Sequence, residues 1–477
     1  MGYLYLILGI CFGWGIIVLL SKLPKLLHRV DEEWVDLRSD KTAKEQKVND
    51  LQKNIQVYSY GAIILVFLGV VYVFFHNVEG TPYEGHFREW SNLIIRLIHI
   101  TFGIAWIGAS FYFVFLENSL NRTRGLRDEL AGNMWAVHGG GFYYLEKYKV
   151  APGQLPDNLH WFKYEAYFTW LSGFCLLCVV YYFNAEGMLI DPGVMDISPP
   201  TAIGIGIGSF VVGWTIYEYI SRLKIASNGL LFALTGFLLL AFFAWFYCQV
   251  FSARAAFIHF GALIGTLMAG NVFFVIIPAQ KAMVRAAKKG DPLNPDLGKH
   301  AGWRSLHNNY LTLPVLFVMI SNHFPSTFGN EHNWLILTAI TLGTAGIKHY
   351  LNLVEKRQES VWVMPLSVFL LLAIAFVTAP QIDREDCSET VSFSQIYPII
   401  NERCVSCHSA QPTDDVWTSP PNGIVYDTPE QIAGLTDKIM QRVVITRTMP
   451  QNNKTGMLPE ERALIRCWIE QGAKVAE

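Results

Sequence analysis

A chain of 477 residues has room for two or three domains, yet 52% of it is hydrophobic, only 16% is charged, and its mean hydropathy is +0.28. That balance excludes an ordinary soluble enzyme. The 37 Lys and Arg stand against 39 Asp and Glu, a net charge of −2 with no polybasic footprint for a nucleic acid.

Ten apolar runs are long enough to cross roughly 30 Å of hydrocarbon as helices. They lie at 3–21, 55–76, 92–116, 164–184, 200–220, 229–251, 256–278, 306–324, 333–351 and 361–379. The turn between 229–251 and 256–278 is so short that these two form a helical hairpin. The first run has no basic residue before it and Lys22, Lys25 and Arg29 after it, which reads as an uncleaved helix with its N-terminus outside. The connections alternate in charge. Segments 22–54 and 279–305 are rich in Lys and Arg, and part of the former, 31–54, reads as a solvated amphipathic helix. By contrast 77–91 holds only Arg88, and 185–199 and 325–332 hold no Lys or Arg. The basic segments are expected in the cytoplasm and the others outside, which also puts everything after 379 outside. The predicted fold is all-α: a transmembrane bundle of about ten helices over 1–379, then a small all-α domain over 380–477.

The polar tail contains Cys404-Val405-Ser406-Cys407-His408. In C-x-x-C-H two thiols add across haem vinyl groups and the histidine becomes an axial iron ligand. A redox C-x-x-C or half a zinc site is the weaker reading, because a histidine follows directly and the tail holds no second C-x-x-C pair. One covalent haem c is therefore expected, and its attachment outside the cytoplasm agrees with the charge pattern. His408 is the tail's only histidine, so Met440, Met449 and Met457 are the candidates for the sixth ligand. Met449 is preferred, in the turn Thr448-Met449-Pro450 before a helix opened by Pro459; Met440 sits at apolar spacing with Ile432, Leu435 and Ile439 and reads as core. Cys387 and Cys467 are either a disulfide or two buried thiols.

The chain resembles the membrane-bound urate oxidases (urate hydroxylases) that carry a C-terminal cytochrome c. The resemblance rests on Arg96-Leu97-Ile98-His99 with Trp106-Ile107-Gly108, Trp135 through Tyr143, His160 through Ala166, Leu306 through Pro314, Ile320 through Pro325, Lys348-His349-Tyr350 and the haem-c tail, in that order. It implies oxidation of urate to 5-hydroxyisourate in purine breakdown, with electrons leaving through cytochrome c rather than reducing O2 directly.

Ionisable groups inside spans invite functional readings. Toward the outer side, His99 and His259 come from different helices at similar depth and are candidate ligands of a haem b or another metal. Arg96, three residues before His99, is placed to hold a propionate or an anionic purine. The alternative is that each histidine makes one interhelical hydrogen bond while Arg96 snorkels. Toward the inner side lie Glu117, His138, His160, Glu165, Glu218, His307 and His349. The stretch His138-Gly139-Gly140-Gly141-Phe142 offers close backbone approach to a ligand; without a G-x-S-x-G elbow it is no hydrolase loop. His138, His307, Asn308, Asn309 and His349 supply donors for a planar anion, with Glu165 as a base. A polar network that merely joins helix ends is an equal alternative. Gly204, Gly206 and Gly208 mimic a dinucleotide fingerprint but sit in an apolar span, where Gly204 and Gly208 suit close helix packing. Cys175 and Cys178 read as core.

The leading expectation is a multi-pass protein of a bacterial inner membrane that oxidises urate and passes electrons singly through a periplasmic haem c to a soluble or membrane cytochrome c or a terminal oxidase. A quinol:cytochrome c oxidoreductase subunit and a membrane-anchored electron shuttle share the same electron-transfer residues, and only the resemblance singles out urate.

Overall fold

In the computed structural model the described residues run from 83 to 475, apart from 124, 153, 157, 359, 380–386, 415 and 418, with Val73, Asn77, Val78 and Thr81 before them. The predicted spans 3–21 and 55–76 (Val73 excepted) and the basic segment 22–54 with its amphipathic helix lie outside the described residues. The chain divides into compact units 1–90 and 91–477, and the second carries the rest of this account.

All eight remaining apolar runs are helical. Helix α1 spans Glu84–Ser119, α2 Tyr164–Leu177 with a π-helical turn to Tyr182, α3 Pro199–Ile220, and α4 Gly229–Val250. Helix α5, Ala253–Gly270, passes through a π-helical segment Asn271–Ile276 into α6, Ile277–Lys289. Then come α7 Pro295–Ser321, the short α8 Pro325–Phe328, α9 Asn333–Glu355 and α10 Val363–Val377. Five of the described helical stretches are long and apolar enough to cross a membrane. Local chemistry sets their ends: Asn228 Oδ1 accepts from the Leu231 amide at 3.1 Å, Pro199 and Pro295 open helices whose first N–H has no partner to lose, and Gly290 closes α6 at φ 72°.

The short turn expected between α4 and α5 is Phe251-Ser252. It is pinned from outside the hairpin, because Ser252 donates to the Leu189 and Met188 carbonyls. Helix α5 is the centre of the bundle. Phe257, Phe260, Leu263 and Ile264 are fully buried, packed with Tyr247 and Phe251 of the preceding hairpin arm and turn. Helices α1, α4 and α10 instead leave large apolar side chains such as Leu97, Leu238, Phe369 and Phe376 exposed, a belt far larger than a soluble surface tolerates.

The all-α expectation fails at one place. Leu130–His138 (β1) and Gly141–Tyr148 (β2) form an antiparallel hairpin, with Trp135 opposite Tyr144 and Val137 opposite Phe142. Gly139 and Gly140 make its two-residue turn at φ 58° and 80°, the left-handed pair that matches strand twist. The glycines read as a ligand cradle are thus turn glycines. Glu117 at the end of α1 bonds Lys147 and Arg122 and ties the hairpin to the bundle.

The tail builds its own core from Ile396, Ile400, Ile432, Ile439, Val443, Met457, Ile465 and Trp468. Its helices are α11 Phe393–Arg403, α12 Pro429–Ala433, α13 Thr436–Ile439 running into a π-helical turn to Ile445, and α14 Pro459–Glu470. Cys387 and Cys467 are bonded as a disulfide, with Cα atoms 5.3 Å apart. Capping boxes at Ser392 with Gln395 and at Thr428 with Gln431 start α11 and α12.

Candidate functional site

Helix α7 carries a line of buried polar side chains, of which Arg304, Asn308 and Asn309 find partners outside it. Arg304 is fully buried; its Nη2 reaches Glu218 of α3 at 2.5 Å and its Nη1 donates to Asn271 Oδ1 at 3.2 Å. The π-helical segment turns Asn271 inward, a common use of such a bulge. The Asn271 amide then donates to Tyr217 Oη and to Asn308 Oδ1, both at 2.9 Å. Tyr217 Oη also lies 2.7 Å from His307 Nδ1, and the His307 ring is held between Trp303 and Phe232 at centroid distances of 4.0 and 4.5 Å. Tyr217 and His307 thus share a short hydrogen bond at the edge of this charge-paired network. Its buried ions come at a desolvation cost of several kcal/mol each, offset only because Arg304 and Glu218 meet.

A second cluster has no such balance. Lys348 and Asn352 lie one turn apart on α9; Asn309 of α7 donates to Asn352 Oδ1 at 3.0 Å, and the Lys348 ammonium sits 3.9 Å from the centroid of Phe111 on α1. Lys348 and Asn309 are fully buried. Lys348 Nζ, Asn309 Oδ1 and Asn352 Nδ2 are buried with no hydrogen-bond partner among the described residues. A cation, an acceptor and a donor stand ready beside an aromatic face. Sequence reading passed over Lys348 for its neighbour His349, although a lysine inside an apolar run was itself the signal. Arg304, Asn271, Tyr217 and Asn352 were also missed.

The residues expected to be catalytic do not converge. His307 belongs to the α7 network, while His349 bonds Tyr310 Oη at 2.7 Å on an exposed face. His138 ends β1 at the exposed hairpin tip, and Glu165 sits in the first turn of α2 with Oε2 buried and without a partner among the described residues. Among the described residues these four share no hydrogen-bond partner. Asn308 and Asn309 are placed as expected in the buried layer, one in each cluster.

The proposed His99 and His259 iron site does not fit. His259 is fully buried with both ring nitrogens engaged, Nδ1 at 2.8 Å from the Ala255 carbonyl and Nε2 at 3.1 Å from Tyr182 Oη, inside a cage that includes Phe210, Tyr247 and Phe251. His99 turns instead to α2, with Nδ1 3.0 Å from the Thr169 carbonyl and its ring against Gly173. Each histidine serves interhelical packing, and Arg96 folds back onto Asn92 of its own helix at 3.0 Å. The glycine that permits close approach is Gly206, where a Cβ would fall 2.7 Å from Tyr182 Oη and 2.9 Å from His259; Gly204 and Gly208 face open space. Cys175 is exposed rather than core.

In the tail, Cys404, Cys407 and His408 form the turn that follows α11. Both cysteines are free thiols, unlike Cys387 and Cys467, and burial pushes Cys404 up to about 12. His408 Nδ1 lies 3.0 Å from the Ile424 carbonyl, which fixes the proton there and leaves Nε2 as the available lone pair. Burial holds this imidazole below its ordinary value. Met449 is half-buried in a braced loop: its N–H donates to the Arg442 carbonyl at 3.0 Å and its carbonyl accepts from Arg462 at 2.7 Å. Met457, by contrast, is 3% exposed in the core. Residues beside Met449 seat the tail on the bundle, since Gln451 Nε2 donates to the Gly187 carbonyl and Asn452 Nδ2 to the Ile190 carbonyl at 2.8 Å.

The family model described as Urate oxidase N-terminal matches residues 85–379, which include α1 through α10 and the hairpin. No curated protein and no solved structure matches the chain.

Proposed function

The chain belongs to the urate oxidase N-terminal family, and from that premise we propose that it oxidises urate to 5-hydroxyisourate in a membrane, passing the electrons through a haem c on its tail. The family match is the observation that carries this reading. The reaction balances as urate plus water giving 5-hydroxyisourate, two protons and two electrons. A haem attached at Cys404 and Cys407 would supply a one-electron couple, with a low-spin iron held by His408 and Met449. The donors suit it: two unbridged thiols, an imidazole whose other nitrogen is already satisfied, and a thioether in a braced loop.

Within the helical domain, Lys348 opposes the negative charge of urate, Asn309 and Asn352 complement its ring amide edges, and Phe111 gives it an apolar face. The Tyr217 and His307 pair is assigned as the acceptor of one of the two protons the oxidation sheds, through its 2.7 Å hydrogen bond in the buried network, the other passing to water.

An anaerobic preparation given urate and excess oxidised cytochrome c is expected to reduce about two equivalents of the carrier per urate, by the one-electron haem couple, without stoichiometric peroxide. Peroxide formed one-for-one with urate would refute the haem route. Quinol oxidised with no loss of urate would replace the reading by a respiratory reductase.

The tail is proposed to lie in the periplasm of a bacterial inner membrane. It seats on 187–190 and 329, within connections that carry no Lys or Arg, as the positive-inside rule asks of an outer face. A C-terminal alkaline phosphatase fusion should be active; activity of a cytoplasmic reporter there would overturn the topology.

Met449→Ala should remove the near-infrared sulfur–iron charge-transfer band while leaving the tail folded. Met457→Ala should keep the band and instead destabilise the tail by about 2–5 kcal/mol, the usual result of emptying a buried Met site. Denaturant unfolding and the oxidised spectrum of each variant decide this; a band that survives in Met449→Ala ends the assignment.

A further inference from the structure

We propose that the bundle helps to hold the sixth iron ligand: Gln451 and Asn452, which reach from the Met449 loop onto the chain at 187–190, are positioning residues for the Met449 thioether. The inference rests on the haem reading above, with Met449 as ligand, and makes the seat of the tail part of that site. The loop around Met449 is one that would not keep its shape alone. Arg447, Asn452 and Asn453 have φ of 49°, 54° and 48°, the left-handed region that asparagine tolerates and arginine avoids. Residues in that region persist only where their surroundings over-determine them.

Two sets of contacts do so here. From the tail, the Met449 N–H donates to the Arg442 carbonyl at 3.0 Å, and Arg462 Nη1 donates to the Met449 and Val443 carbonyls at 2.7 and 2.5 Å. From the bundle, the Gly187 carbonyl accepts from Gln451 Nε2, which also lies 3.7 Å from Met188 Sδ, and the Ile190 carbonyl accepts from Asn452 Nδ2 at 2.8 Å. Thr448 closes on the bundle from the other side of Met449, since a Cβ on Gly329 would fall 2.8 Å from its methyl group. Met449 itself packs with Cys404 against the tail core, so the residues on both sides of it face the bundle while it faces the haem-binding turn. The seat does not yield. Leu189 is fully buried, and Ser252 fixes the Met188 and Leu189 carbonyls from the turn between α4 and α5. A thioether is a neutral ligand, and its hold on iron depends on how little the loop gains by letting go. Groups that orient a ligand without touching the metal carry much of that hold.

The test is the binding of imidazole to the ferric haem of the full-length protein, because imidazole competes with the thioether and its apparent Kd reports how firmly Met449 is held. The haem is attached covalently, so it stays in every variant. Gln451→Ala combined with Asn452→Gly, which keeps the left-handed turn and removes only the amide, should lower that Kd about tenfold, the low end of what such supporting partners contribute, and weaken the near-infrared sulfur–iron band. Gly187→Ala changes no residue of the tail, but its Cβ would fall 2.6 Å from Val416 of the tail and displace the seat, so it should lower the Kd in the same direction. Met457→Ala loosens the tail core away from the seat and should leave the Kd within about twofold of native, as expected of an uncoupled site. An unchanged Kd in both the double variant and Gly187→Ala would overturn the proposal. So would a fall in Met457→Ala as large as that in the double variant, because any loosening of the tail would then suffice. A native protein that holds haem c but lacks the sulfur–iron band would remove Met449 as the ligand, and one without haem c by pyridine haemochrome assay would remove the haem reading; either result takes the proposal with it and is distinct from the first two.

Discussion

Replacing Cys404 and Cys407 together by serine is expected to abolish the reduction of external cytochrome c by urate. The helical domain should stay intact. The physical reason is the separation of labour in the chain. The buried polar clusters lie on α3, α7, α9 and the π-helical segment after α5, whereas the thiols and His408 belong to a tail with a core of its own. Serine keeps the size and polarity of each cysteine but cannot form the thioether, so the variant loses the covalent haem and with it the one-electron couple. The pyridine haemochrome signal should vanish while the urate Kd, measured by equilibrium dialysis, changes little. Carrier reduction persisting at the native rate in protein shown to lack haem c would refute the proposed route.

How much of this was legible in the sequence depends on how local the determining interaction is. The apolar runs were read well, because each span is decided by its own composition: 229–251 and 256–278 became α4 and α5 with a two-residue turn between them. The β-hairpin was not read. Its strands carry the alternation Trp135, Val137 and Phe142, Tyr144, but the Gly139-Gly140 turn was taken for a binding loop, since both uses ask the same backbone freedom of glycine. The buried networks could not be paired from sequence at all. Arg304 meets Glu218 across 86 positions, and Asn309 meets Asn352 across 43. Helical periodicity says which face a residue is on, and not which helix will cover that face. The same ignorance made His99 and His259 look like partners, when Tyr182 and the Ala255 carbonyl claim one and Thr169 the other.

Lys348→Met should lose urate turnover by at least about 100-fold, because removing one partner of a buried charge pair costs roughly 3–5 kcal/mol. The same substitution should leave thermal stability unchanged or raise it. These two outcomes follow from one observation: the Lys348 ammonium is fully buried with no hydrogen-bond partner among the described residues, the Phe111 ring lies against it, and the Glu355 carboxylate acts on it without an ion pair. A cation–π contact is worth about 2 kcal/mol when desolvated, less than the several kcal/mol of burying the charge. The unliganded fold therefore carries a deficit at Lys348, and a methionine of similar length relieves it. A residue kept for packing would behave the other way, with stability falling first and activity following. If an anionic substrate cancels the deficit, the loss should appear chiefly as weaker binding, so the urate Kd rises in Lys348→Met and recovers in part in Lys348→Arg, which restores the charge with a different shape. Thermal unfolding, equilibrium dialysis and carrier reduction on the same preparations separate the cases. A variant that is destabilised yet binds urate normally would return Lys348 to the scaffold and leave the charge of urate to be met elsewhere.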